Sequence, residues 1–165
     1  MKKYSAKNIA ILVVATCLGL GYSPIFPGTC AALLGVAIYL LIAYFTPVAM
    51  HFLLLAVSLL VVSIVTIALG KWAEDFFEEK DSGIFTTDEV AGFLCTVLLF
   101  RVSDPMTTFI WAFPFTRIID MIKVPPAKRL EKLPAGWGVL ADDLMASVYA
   151  AAILHGLLFA FPHWF

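Results

Sequence analysis

Two pairs of adjacent carboxylates, Asp88-Glu89 and Asp142-Asp143, interrupt a chain that is otherwise largely hydrocarbon. Each pair stands where an apolar run begins, and Asp120 and Asp81 are further acidic candidates. Adjacent carboxylates repel, and gathering several at a membrane boundary is costly unless a cation offsets them. A hard divalent cation takes oxygen ligands. Magnesium in particular is held by one or two carboxylates together with water and substrate phosphate. The set therefore reads as a magnesium site with Asp88, Glu89, Asp142 and Asp143 as ligands and Asp81 as an addition. The plainer reading is that acidic residues at helix starts are caps, each favoured by about 0.3–1 kcal/mol.

Arg117, Asp120 and Lys123 recur at i, i+3 and i+6, so they follow one face of a helix that Pro125 and Pro126 then stop. Arg117 and Lys123 suit a phosphate clamp, and Asp120 suits a metal or the orientation of a water. Snorkelling charges with a surface Asp–Arg pair would give the same spacing. Gly28 and Thr29 follow Pro27 where an apolar run starts. Backbone N–H groups at a helix N-terminus bind anions, and glycine lets an anion come close; an ordinary turn would look alike. Gly136 and Gly138, ahead of Asp142, read as points where the backbone passes close to a ligand or simply as loop bends.

Other chemistries are excluded. Cys95 and Arg101 have the C-x5-R spacing of a cysteine phosphatase loop, but the five residues between them are apolar and lie inside a predicted helix, whose N–H groups are already bonded. His51, His155 and His163 lie away from the charged loops and read as interfacial or packed polar residues, not as phosphatase histidines. Cys17, Cys30 and Cys95 all sit in apolar context, as packing residues rather than a disulfide framework or metal set. A net charge of −1 with no basic stripe excludes a nucleic-acid partner.

The elements that must position these residues follow from composition. The chain has 165 residues, 62% hydrophobic and 14% charged, where soluble domains carry about 25% charged residues. This is an all-α, polytopic membrane bundle forming a single domain over residues 1–165. About five membrane-embedded helices are predicted, at 29–45, 48–69, 88–103, 105–121 and 144–161. A short apolar segment at 8–22 precedes them, too short for a comfortable span; it reads as uncleaved, not as a signal peptide. Thr46-Pro47 and Asp104-Pro105 mark tight reversals, and the helix of 48–69 continues to about Glu79. This order brings residues 23–29, 70–89 and 117–143 to one face. Arg101 and Asp104 fall at the other. The shared face holds Arg117, Lys123, Lys128, Arg129 and Lys132, so the positive-inside rule places it in the cytoplasm.

Four segments in order, GYSPIFPGT (21–29), KDSGIFTTDEVAG (80–92), FTRIIDMIKVPP (115–126) and AGWGVLADDLMA (135–146), resemble the phosphatidylglycerophosphatase A family. The resemblance spans nearly the whole chain. It implies a bacterial inner-membrane enzyme, magnesium-dependent, that removes the terminal phosphate of phosphatidylglycerophosphate to give phosphatidylglycerol at the cytoplasmic face. The matching positions are Pro27, Gly28 and Thr29; Asp81, Asp88, Glu89 and Gly92; Arg117, Asp120, Lys123 and Pro126; and Gly138, Asp142 and Asp143. Ile119, Val124 and Ser147 depart from the pattern, where an aromatic, a proline and a glycine are usual. The roles that follow are catalytic for Asp88, Glu89, Asp120, Asp142 and Asp143, and phosphate-binding for Gly28, Thr29, Arg117 and Lys123. The partner is a phospholipid substrate, and the oligomeric state is left open. Two rivals use the same residues: a phosphatase for phosphatidate or a polyprenyl phosphate, and a non-enzymatic transporter subunit or scaffold whose doublets are only caps.

Overall fold

Pro27, Pro47 and Pro105 each stand at or just before a helix start. The computed structural model describes residues 5–80, 82–122, 124–125, 127–130 and 133–165, and is all-helical among them. The expectations placed on Asp81 and Lys123 lie outside the described residues. Helix α1 spans Ala6–Ala15, α2 Pro27–Phe45, α3 Val48–Phe77, α4 Thr87–Leu99, α5 Pro105–Ile122, α6 Ala127–Leu130 and α7 Gly136–Ala160.

Three helices are long and apolar enough to cross a membrane, α2, α3 and α7. Helices α2 and α3 form the expected hairpin about Thr46-Pro47. At 30 residues α3 is about 45 Å long, more than the ~30 Å hydrocarbon core, so its polar end at Lys71–Phe77 extends past it. Its flank carries exposed Phe52, Leu53, Leu60 and Ile64, the face a bilayer would solvate. The segment at 8–22 is not one helix of spanning length: α1 has 10 residues, about 15 Å, and the chain leaves it through Cys17, Leu18 and Gly19, all at positive φ.

Helix α4 is the hub. It has only 13 residues, but ten of them are buried, among α2, α3, α5 and α7. A helix apolar on all sides belongs at the centre of a bundle. Phe93 meets Tyr39 and Phe113 edge-on at 6.3 and 6.0 Å, and Phe93, Leu94, Val97 and Phe100 anchor the core. Paired threonines tie the helices across this apolar interior: Thr116 Oγ1 lies 2.8 Å from Thr96 Oγ1, and Thr66 Oγ1 2.9 Å from Thr87 Oγ1. At the far end the Pro162–Trp164 turn folds back, stacking Trp164 on Trp111 at 5.9 Å.

Helix α7 starts eight residues before the predicted 144. Glycine disfavours helix, which made Gly136 and Gly138 read as loop. Close packing overrides that propensity. A Cβ on Gly136 would sit 2.3 Å from Thr66 O and 2.8 Å from Ile67 Cα, and one on Gly70 would sit 2.1 Å from Gly136 N. The α3 and α7 backbones therefore touch at this end of the bundle. Asp142 and Asp143 consequently lie in the second turn of α7, beyond reach of the capping explanation.

At the opposite reversal Asp104 caps α5, its Oδ2 accepting from Thr107 N at 2.6 Å and Thr107 Oγ1 at 2.7 Å. These bonds hold its carboxyl below the usual range. A depressed folded-state pKa contributes stability above the unfolded value and loses it as pH falls through the folded one. Asp104→Ala is expected to lower the thermal midpoint at neutral pH, with the deficit vanishing in acid. A deficit that persists below the folded-state pKa would show that the side chain acts through packing instead.

Candidate active site

The ends of α2, α4, α5 and α7 that carry the polar motifs meet as the topology requires. Helix α5 presents Arg117 and Asp120 one turn apart, and Arg117 reaches across 28 residues of sequence to Glu89 in the first turn of α4. Its Nη1 donates to Glu89 Oε2, and its Nη2 donates to Glu89 Oε1 at 3.0 Å. The same Nη2 lies 3.4 Å from Asp120 Oδ2. This two-pronged pair is the arrangement in which arginine binds carboxylate most strongly. The Arg117 and Glu89 side chains are only 11% and 15% exposed, so the pair is little screened by water. Arg117 Nε is buried with no hydrogen-bond partner among the described residues, a donor left over for an anion.

Asp143 enters from α7 on the other side. One carboxylate oxygen each from Glu89, Asp120 and Asp143 lie within 4.8 Å of one another. Three acidic groups this close, one of them buried, repel strongly unless a cation or a shared proton lies among them. Arg117 supplies one positive charge. The donor set is all oxygen, from three different helices, and fits a hard divalent ion that keeps some positions for water or phosphate.

The predicted ligand set differs from this cluster. Glu89 and Asp143 belong to it, whereas Asp88 and Asp142 do not, and Asp120 completes it. Neighbours on a helix are turned about 100° from each other, so two adjacent carboxylates do not face one point. Asp88 and Asp142 are nonetheless buried beside it, 8% and 3% exposed, and Asp88 acts electrostatically on Asp143. Ser147, at a departure from the family pattern, holds the two helices together: its Oγ lies 2.6 Å from Gly92 O and 2.7 Å from Asp143 O.

Gly28 and Thr29 open α2 beside the cluster, behind Pro27 at the first helical position. Cys30 is the first residue to bond back, to Phe26 O, so the Gly28 and Thr29 amides belong to the open first turn. The anion that approaches Gly28 most closely is Glu89 itself. A Cβ at Gly28 would lie 1.8 Å from Glu89 Oε1 and 3.2 Å from Arg117 Nη2. Gly28→Ala is therefore expected to push the Glu89–Arg117 pair apart and lower kcat by about 10–100-fold, as loss of an outer supporting contact does. Wild-type turnover in this variant would mean that the pair has room to spare.

The histidines take no part. His51 Nε2 bonds Thr46 O at 3.0 Å and His155 Nε2 bonds Leu99 O at 3.1 Å, both at the far end. The three cysteines are free thiols.

The profile of the phosphatidylglycerophosphatase A family matches residues 13–158. A Bacteroides thetaiotaomicron protein, named provisionally as a phosphatidylinositol-3-phosphatase, is 31% identical over 87% of this chain and 90% of its own. The phosphatidylglycerophosphatase A of Escherichia coli is 30% identical over 92% of this chain and 84% of its own. That of Haemophilus influenzae is 31% identical over 51% and 49%. No solved structure matches. The chain belongs to the phosphatidylglycerophosphatase A family.

Proposed function

We infer from this membership that the chain is a membrane lipid phosphatase, a phosphoric monoester hydrolase that converts phosphatidylglycerophosphate to phosphatidylglycerol. The observation that carries the chemistry is the convergence of Glu89, Asp120 and Asp143 around Arg117 at one end of an apolar bundle. In this reading the three carboxylates hold magnesium, which supplies charge neutralisation to the phosphoryl oxygens when bound. Arg117 Nε and the Gly28 and Thr29 amides receive the remaining phosphate oxygens, and Lys123 adds a second cation. Phosphate monoesters hydrolyse extremely slowly unaided, so neutralising developing charge has most of the barrier to lower. Asp88 and Asp142, buried alongside, set the field around the trio. The acyl chains remain in the bilayer. The loop end faces the cytoplasm of a bacterial inner membrane, supported by the Lys and Arg of 117–132.

The name of the Bacteroides relative supports a second reading, in which the same site hydrolyses a phosphomonoester on an inositol headgroup. The test is phosphate release by the purified protein in detergent from phosphatidylglycerophosphate, phosphatidylinositol 3-phosphate and phosphatidate, with magnesium and then with EDTA. The expected result is highest kcat/KM on phosphatidylglycerophosphate and loss of release with EDTA. Preference for the inositol lipid would establish the second reading, and no release from any of them would overturn both.

A further inference from the structure

The first turn of α4 carries Glu89, and its N-cap Thr86 makes no side-chain cap bond. The backbone of Thr86 is tied to the last residue of α1 and to the segment that follows it. Thr86 N donates to Ala15 O at 3.1 Å, and Cys17 Sγ donates to Thr86 O at 3.4 Å. Gly21 presses on the same loop, where a Cβ would lie 2.2 Å from Ile84 O and 3.1 Å from Thr86 Oγ1.

This segment is a knot of its own. Thr16 Oγ1 bonds Leu12 O at 2.8 Å, Leu18 N bonds Val13 O at 2.7 Å and Gly21 N bonds Thr16 O at 2.9 Å. Cys17 and Leu18 are held at φ 50° and 62°, where non-glycine residues persist only if their surroundings fix them. Ala15 and Thr16 are fully buried. Ala15 packs with Ala73 and Phe85, and Cys17 belongs to the main core, while Val13, Val14, Cys17 and Leu18 line an apolar groove of about 240 Å³. The segment thus packs on residues 84–86 as well as on its helical neighbours, and it holds the backbone of Thr86 in return.

We propose that residues 15–21 are a positioning strap, which fixes the Ile84–Thr86 loop and thereby sets where α4 presents Glu89 to Arg117, Asp120 and Asp143. The inference rests on Glu89 being a working carboxylate of the phosphatase site.

The test compares wild type and Gly21→Ala, full length in detergent, by kcat on phosphatidylglycerophosphate, by Mn²⁺ binding followed by electron paramagnetic resonance, and by maleimide labelling of Cys17 read by peptide mass. Burial pushes the Cys17 thiol up to about 11, so it labels slowly in the wild type. Gly21→Ala is expected to expose Cys17, weaken Mn²⁺ about 10-fold and lower kcat on the order of 100-fold, with KM little changed. Cys17→Ser, which keeps a donor for Thr86 O, is expected to turn over faster than Cys17→Ala, and this pair decides if Gly21→Ala does not fold. Wild-type kcat and Mn²⁺ affinity in folded Gly21→Ala, or equal turnover of the two Cys17 variants when Gly21→Ala does not fold, would overturn the strap. If the wild type released no phosphate from the lipid, the functional reading would fall while Mn²⁺ binding still tested the strap.

Discussion

Glu89→Gln, Asp120→Asn and Asp143→Asn are each expected to lower kcat/KM on phosphatidylglycerophosphate by on the order of 100–1000-fold, with a smaller loss for Asp88→Asn and Asp142→Asn. The amide replacements keep the shape of each side chain and remove its charge, so they separate ligation from packing. Glu89, Asp120 and Asp143 bring oxygens within 4.8 Å of one another, close enough to share one ion. Asp88 and Asp142 are buried neighbours, and Asp88 acts on Asp143 through its charge. The ordering, more than any single value, is diagnostic, and Mn²⁺ affinity should follow it. If Asp88→Asn or Asp142→Asn cost as much as the trio, the acidic doublets themselves would be the ligand set.

The grouping of Glu89 and Asp143 with Asp120 was not legible in the sequence, for a specific reason. A doublet such as Asp142-Asp143 announces charge, and charge in an apolar chain announces a site. Which member faces the site depends on where the helix starts, and Gly136 concealed that start. Its helical conformation is imposed by contact with Thr66 and Ile67, more than 60 positions earlier, which no local propensity encodes. The reversals at Thr46-Pro47 and Asp104-Pro105 were legible because proline and turn residues act locally, and they sufficed to bring the three polar stretches to one end. The i, i+3 relation of Arg117 and Asp120 was legible as well, since α5 runs unbroken from Pro105 to Ile122. The partner of Arg117 was not: Glu89 looked like a member of a metal doublet or a cap, and it is both a cluster carboxylate and the anion seated on Gly28.

Arg117 is where stability and chemistry separate most sharply. It is the counter-charge of two of the three clustered carboxylates and offers a further donor, Nε, towards an anion. Removing one partner of a poorly hydrated ion pair leaves the other uncompensated, at a cost of about 3–5 kcal/mol. Arg117→Met is therefore expected to unfold at a markedly lower temperature than the wild type in EDTA. A divalent ion that binds the folded trio restores charge balance and stabilises by linkage, so millimolar magnesium should raise the midpoint of Arg117→Met more than that of the wild type. Turnover should not recover with it, because the anion donor is still missing. Arg117→Lys keeps the charge but lacks the planar fork that grips Glu89 and the Nε donor, so it should hold its stability far better than its activity. The measurement is thermal unfolding in detergent with and without magnesium, alongside kcat for each variant. Should magnesium restore both the midpoint and the turnover of Arg117→Met, Arg117 would be a counter-charge alone, and the phosphate would have to be gripped by the α2 amides and Lys123.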